Sequence, residues 1–232
     1  MFRTAVITSA AALALAAAST VPAFAYDPQE YAYAAGHMIT PKDVVKPLTV
    51  NSAGYFNAGP DGGSFLCRKD EKNVTVPRAK ARYSINYDAD DSKKPSVSVN
   101  VQQYSSSAKA ISAYNALKKA AKTCAGPSGG SDSWPDADGN AVVEQWSALN
   151  TTGNVPLVTI VGVPSTFINT NYEQVISNQA SRYSSDNYTV YTLMNDVIIS
   201  TSFSSGSELN ITAAQRKAVN KTAFNAVTAW LG

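Results

Sequence analysis

Residues 96–124 read SVSVNVQQYSSSAKAISAYNALKKAAKTC, a strand, a cap and a helix in succession. Val97, Val99 and Val101 alternate with Ser98, Asn100 and Gln102, the two-residue period of a strand with one face buried. Ser105, Ser106 and Ser107 offer hydroxyls for a helix cap. Ile111, Tyr114, Leu117, Ala121 and Cys124 then recur at spacings of three and four, one face of an amphipathic helix. That helix ends on a cysteine, and Cys67 is the only other one in the chain.

Just upstream, Lys80–Tyr87 alternates in the same way, with Ala81, Tyr83, Ile85 and Tyr87 on one side and Arg82, Ser84 and Asn86 on the other. The charged turn DADDSKKP at 88–95 joins this strand to the next as an antiparallel hairpin. Further upstream, Phe65-Leu66-Cys67 reads as a short strand behind the turn at 59–63, and 49–57 as a strand or irregular edge. Thr40-Pro41-Lys42-Asp43 has a cap, a proline and an acid in the order of a helix start, giving a short helix to about Lys46. Residues 26–39 read as a loose N-terminal arm.

Downstream, AGPSGGSDSWPDADGN at 125–140 reads as a mobile loop. Ala141–Leu149 is a strand, and the apolar run Leu157–Val163 reads as a central strand covered on both faces. Residues 166–180 lean toward a short helix from about Tyr172. Tyr188–Met194 and Val197–Phe203 flank Asn195-Asp196, a two-residue hairpin turn. Thr212 to Gln215 is a capping box, and Val219, Ala223, Ala226, Val227 and Trp230 mark the apolar face of the closing helix. Meandering strands with two long amphipathic helices predict an α+β fold, an antiparallel sheet with both helices packed on one face.

The first 25 residues stand apart from this pattern. Arg3, an Ala/Leu/Val-rich run and Ala23-Phe24-Ala25 read as a signal peptide cleaved after Ala25, so the expected localisation is secreted or extracytoplasmic. The mature chain, 232 minus 25 or 207 residues, fits a single domain over 40–232 with no membrane span. Without Arg3 it carries 18 basic and 17 acidic side chains, a balance that recommends neither nucleic acid nor an anionic membrane as partner. Two cysteines in an exported chain favour a Cys67–Cys124 disulfide over two free thiols. Closing that loop would stabilise an unstrained fold by about 4 kcal/mol.

The order of these segments resembles the PknH-like extracellular sensor-domain family of high-GC Gram-positive bacteria. Four stretches carry the likeness: Met38–Val44, Val99–Tyr104 with the helix to Gly126, Asn195–Ser200, and Gln215 to Trp230. The resemblance implies an antiparallel sheet with helices packed on it and a cleft for an unknown ligand. The chain departs from the family in lacking a kinase or membrane segment and in having cysteines for one disulfide instead of two.

Candidate chemistry is sparse. His37 is the only histidine, and no Gly-x-Ser-x-Gly elbow accompanies it, so a Ser-His-Asp enzyme has no footing. Glu144 and Asp196 are the carboxylates weighed as a glycosidase pair, with solvated positions as the plainer reading. Asp132, Asp136 and Asp138 fail the calcium-loop spacing because position 134 is Trp. No catalytic residue, metal ligand or cofactor is therefore expected. The remaining candidate is a polar sheet face carrying Arg82, Asn100 and Gln102, with Tyr104, Trp146 and Tyr188 adding flat apolar contacts. The expected function is a non-enzymatic, sensor-type binding domain for a small-molecule or glycan ligand. The alternatives are an interaction module whose partner is another envelope protein, or an envelope hydrolase with an unrecognised site.

Overall fold

The computed structural model describes residues 28–48, 50, 55–59, 64–67, 72–75, 77–87, 95–155, 163–178, 182–205 and 210–232. Residues 1–25, read above as a signal peptide, residues 60–63 and 88–94 of the expected turns, and residues 157–162 of the expected strand Leu157–Val163 lie outside them. The elements run α1 (Pro28–His37), a 3-10 turn (Pro41–Asp43), β1 (Tyr55–Gly59), β2 (Ser64–Cys67), β3 (Lys72–Thr75), β4 (Ala81–Tyr87) and β5 (Ser96–Gln103). They continue with α2 (Ser107–Cys124), β6 (Gly126–Pro135), β7 (Ala141–Asn154), β8 (Ser165–Ile176), β9 (Arg182–Met194), β10 (Val197–Ser204) and α3 (Ala213–Leu231). Eight strands form one sheet in the order β1-β4-β5-β10-β9-β8-β7-β6, every pairing antiparallel, with β2 and β3 as a separate hairpin.

This is the α+β architecture that the strand and helix periods predict, with one change. The two long helices lie on opposite faces of the sheet, not on one. In β10, Val197, Ile199 and Phe203 join the core with α3 residues Val219, Ala223 and Val227, while Ile198 joins Tyr114, Leu117 and Ala121 of α2. Neighbouring strand residues point to opposite faces, so the two helices cannot share one. The reason is connectivity. β5 pairs with β10 in the middle of the sheet, whereas β6 forms its far edge. α2 must cross one face to reach that edge, and α3, which follows β10, takes the face left open.

Alanines set the closeness of both helices. The stripe α2 buries is Ala110, Ala113, Tyr114, Leu117, Ala121 and Cys124, and Ile111 is 47% exposed. Tyr114, Leu117, Ala121 and Cys124 are thus buried as their spacing predicts, and only Ile111 is replaced on that face, by its neighbour Ala110. Ser106 caps α2 by accepting from Lys109 N at 3.3 Å. Cys124 at its last turn is disulfide-bonded, and the sequence holds one other cysteine, Cys67.

Four more segments differ from their sequence reading. The N-terminal arm is the helix α1, with Ala34, Met38 and Ile39 in the core. Tyr33 packs edge-on to Trp230 of α3, Tyr87 donates to the Ile39 carbonyl at 2.7 Å, and Asn225 donates to the Asp43 carbonyl at 2.7 Å. These contacts strap the segment across α3. After it, Asp43 accepts from Thr40 N and Oγ1, but Val44 is already extended, so the expected helix is a single 3-10 turn.

The expected loop at 125–140 is mostly the edge strand β6, exposed almost throughout and so without an alternating signature. Its turn is held by Asp136, whose carboxylate accepts from Asn140 N at 2.8 Å and Asp138 N at 3.0 Å. The Asn140 amide, first among these donors, holds the Asp136 carboxyl below the usual range. The expected helix from Tyr172 is part of β8, which pairs along its length with β7 and β9. Asn195 does close the β9–β10 hairpin, in the left-handed region at φ 49°.

Asp186 ties α3 to the sheet. It is 2% exposed, and its Oδ2 accepts from Ile211 N at 2.8 Å, with Arg216 at 3.6 Å. Asp186→Ala strands the buried Ile211 donor, and urea unfolding is expected to show a loss of about 2–3 kcal/mol. An unchanged unfolding midpoint would contradict this role.

Candidate functional site

The register puts one polar row across the face that α2 crosses. Arg82 lies opposite Gln102, and Ser84 opposite Asn100, which faces Ser200, which faces Tyr191. The sequence expectation that Arg82, Asn100 and Gln102 share a face therefore holds in the structure. Tyr104 follows on the same face at the foot of α2.

Arg82 and Asn100 are half-buried, while Gln102 and Tyr104 are 5% and 3% exposed. Arg82 donates through Nη2 to Asn100 Oδ1 at 2.7 Å, and its Nε is buried without a partner. Among the described residues no carboxylate lies within ion-pair distance of it. Tyr104 OH is committed, donating to the Pro77 carbonyl at 3.2 Å beside Gln102 Oε1 at 3.5 Å. Burial pushes the Tyr191 phenol up to about 12, against the opposing pull of the Arg82 charge. Burial alone pushes Tyr104 up to about 12.

The other two candidate residues lie elsewhere. Trp146 is on the same face but in β7, five strand positions from β4, or about 24 Å. Tyr188 is on the opposite face under α3, where its OH donates to Asn220 Oδ1 at 3.0 Å and its ring stacks on Phe167 at 5.4 Å. It is a core residue. Sequence reasoning passed over Ser200 and Tyr191, although the Asn195-Asp196 turn fixes them as cross-strand partners.

The carboxylates weighed as a catalytic pair are not brought together. Glu144 pairs with Ile176 at one end of β8, whereas Asp196 lies by the other end, about 37 Å along the strands. A glycosidase pair needs less than about 10 Å. Glu144 instead accepts from Gln174. Among the described residues no group of three or more His, Cys, Asp or Glu is arranged to hold a metal, and no helix is long and apolar enough to cross a membrane.

The chain is similar to the crystal structure of the extracellular domain of PknH from Mycobacterium tuberculosis, at TM-score 0.43 and 12% identity over 82% of this chain and 98% of that one. No family model matches the chain, and no curated protein does. No ligand or role passes from that likeness to this chain.

The buried phenols give the fold an alkaline limit. Tyr104 and Tyr191, with Tyr87 beneath the N-terminal strap, sit at about 12 against an ordinary 10.0. The unfolded chain releases these protons first, so their stabilisation is complete below pH 10 and is lost as pH rises toward 12. Tyrosinate absorbance is expected to show a subset of phenols ionising only as circular dichroism reports unfolding. Complete ionisation near pH 10 with the fold intact would contradict the burial.

Proposed function

We propose that this chain is an exported, non-enzymatic binding domain of sensor type, secreted after cleavage behind Ala25, that takes a small polar ligand bearing an anionic group. The single observation that carries the reading is Arg82. A half-buried guanidinium normally meets a carboxylate, because a desolvated charge without a counter-ion is unfavourable. Here its neighbour is a neutral amide, and its Nε has no partner.

A planar guanidinium offers two parallel donors to a carboxylate or a phosphate. Asn100, Ser200, Ser84 and the Tyr191 ring surround that position with neutral groups, so an incoming anion meets no like charge from the row. Orientation would then come from these polar side chains and affinity from the partial desolvation around Arg82. The distance between Glu144 and Asp196 supports binding over hydrolysis.

Thermal-shift measurements on residues 26–232 with inorganic phosphate, succinate and glucuronate test this reading. At least one probe is expected to raise the melting temperature with saturation, Arg82→Gln to abolish the shift, and Arg82→Lys to weaken it about tenfold by removing the fork. No shift with any of the three, or a full shift in a folded Arg82→Gln variant, would overturn it.

A further inference from the structure

The far end of the same face carries a second constellation that the Arg82 cluster does not reach. Gly130, Trp146, Gln174 and Tyr183 lie directly opposite one another on β6, β7, β8 and β9, one unbroken row across four strands. Glu144 and Tyr172 share that face from the rows on either side, and Trp134 from the row beyond Glu144. Trp146 and Tyr172 stack at 6.5 Å with 28° between their planes, and Tyr183 meets Tyr172 edge-on at 6.1 Å.

Gly130 lets the indole lie down. A Cβ at that position would stand 2.9 Å from Cε2, Cζ2 and Nε1 of Trp146. Those three atoms at equal distance mean that the ring lies over the neighbouring strand. Tyr183 and Trp134 remain 45% and 40% exposed, large values for aromatic side chains. Polar groups border the rings. Gln174 donates to Glu144, which accepts through one of its two carboxylate oxygens, and Asp132 is exposed on the edge strand.

We propose that this shelf binds a neutral polysaccharide. The C–H face of a pyranose ring is flat and apolar and lies well on an indole or a phenol, while its rim is made of hydroxyls. Those hydroxyls need acceptors beside the rings, and Glu144, Asp132 and the Gln174 amide are such groups. The two carboxylates select against phosphate-bearing chains and nucleic acids. Three strand spacings make the row about 14 Å long, which accommodates a run of sugars. Among the described residues β6 is the outermost strand of the sheet, so a long chain can enter and leave along it.

Native affinity electrophoresis of residues 26–232 through gels containing laminarin, glycogen, xylan or neutral arabinogalactan tests the proposal. At least one of the four is expected to retard the protein. Trp146→Ala and the surface change Tyr183→Ala are each expected to weaken that retardation at least tenfold. Gly130→Ala, which pushes a methyl under the indole and deletes nothing, is expected to weaken it several-fold. Arg82→Gln is expected to leave it unchanged, so this site and the Arg82 site fail separately. No retardation in any gel, or retardation equal to that of the starting protein in folded Trp146→Ala and Tyr183→Ala variants, would overturn the proposal. So would a dimer in sizing chromatography that the same two variants dissociate, since the shelf would then be a protein contact.

Discussion

The pairing of β5 with β10 is the constraint from which the rest of the molecule follows. It joins two meanders, β1-β4-β5 and β6 through β10, that are separated in the chain by the whole of α2. Eight residue pairs, from Val197 with Gln103 to Ser204 with Ser96, make this junction. Such non-local pairing carries a loop-closure penalty that local hairpins avoid. The apolar partners Val97, Val99, Val101, Ile199 and Phe203, all nearly fully buried, offset it. Once β10 lies in the middle and β6 at the edge, α2 has one face to cross and α3 the other to cover.

The two faces are consequently unlike. Under α3 the strands present tyrosines, valines and phenylalanine, and Asp186 pins the helix start by its bond to Ile211 N. Under α2 the core is smaller, built on Ile168, Ile198, Tyr104 and the alanine stripe of the helix. A single helix on a sheet of eight strands leaves sheet uncovered on either side. On one side lies the Arg82 row, on the other the aromatic row of Trp146 and Tyr183. Both candidate sites are thus products of the same crossing, and they differ because the strands beneath carry serine, asparagine and arginine near β5 and aromatic residues near β7 to β9.

Several details follow from keeping buried polar groups paired. Thr222 of α3 accepts from Val45 N at 3.1 Å, and Asn225 donates to the Asp43 carbonyl. These two bonds hold a stretch whose sequence carries little helix signal, which is why α1 and the following turn dock when composition suggests a loose arm. Arg82 stands out against this background because among the described residues its neighbours are neutral, and its Nε has no partner.

Much of this was written in the local sequence. The two-residue alternation of Lys80–Tyr87 and Val97–Val101, the Asn195-Asp196 turn and the Thr212 capping box each fix a strand, a hairpin or a helix end through their immediate neighbours. The face shared by Arg82, Asn100 and Gln102 was legible for the same reason, since parity along paired strands needs only the hairpin register. What lay beyond the sequence depends on partners distant in the chain. β6 is exposed on both sides and shows no alternation, and 166–176 became a strand because β7 and β9 offered it hydrogen bonds on both edges. Tyr188 and Trp146, both aromatic strand residues, separated into a core position and a surface shelf once the sheet order was set. Only the tertiary structure could decide which helix lies on which face, because that follows from the β5–β10 junction, and no local period encodes a pairing across about a hundred residues.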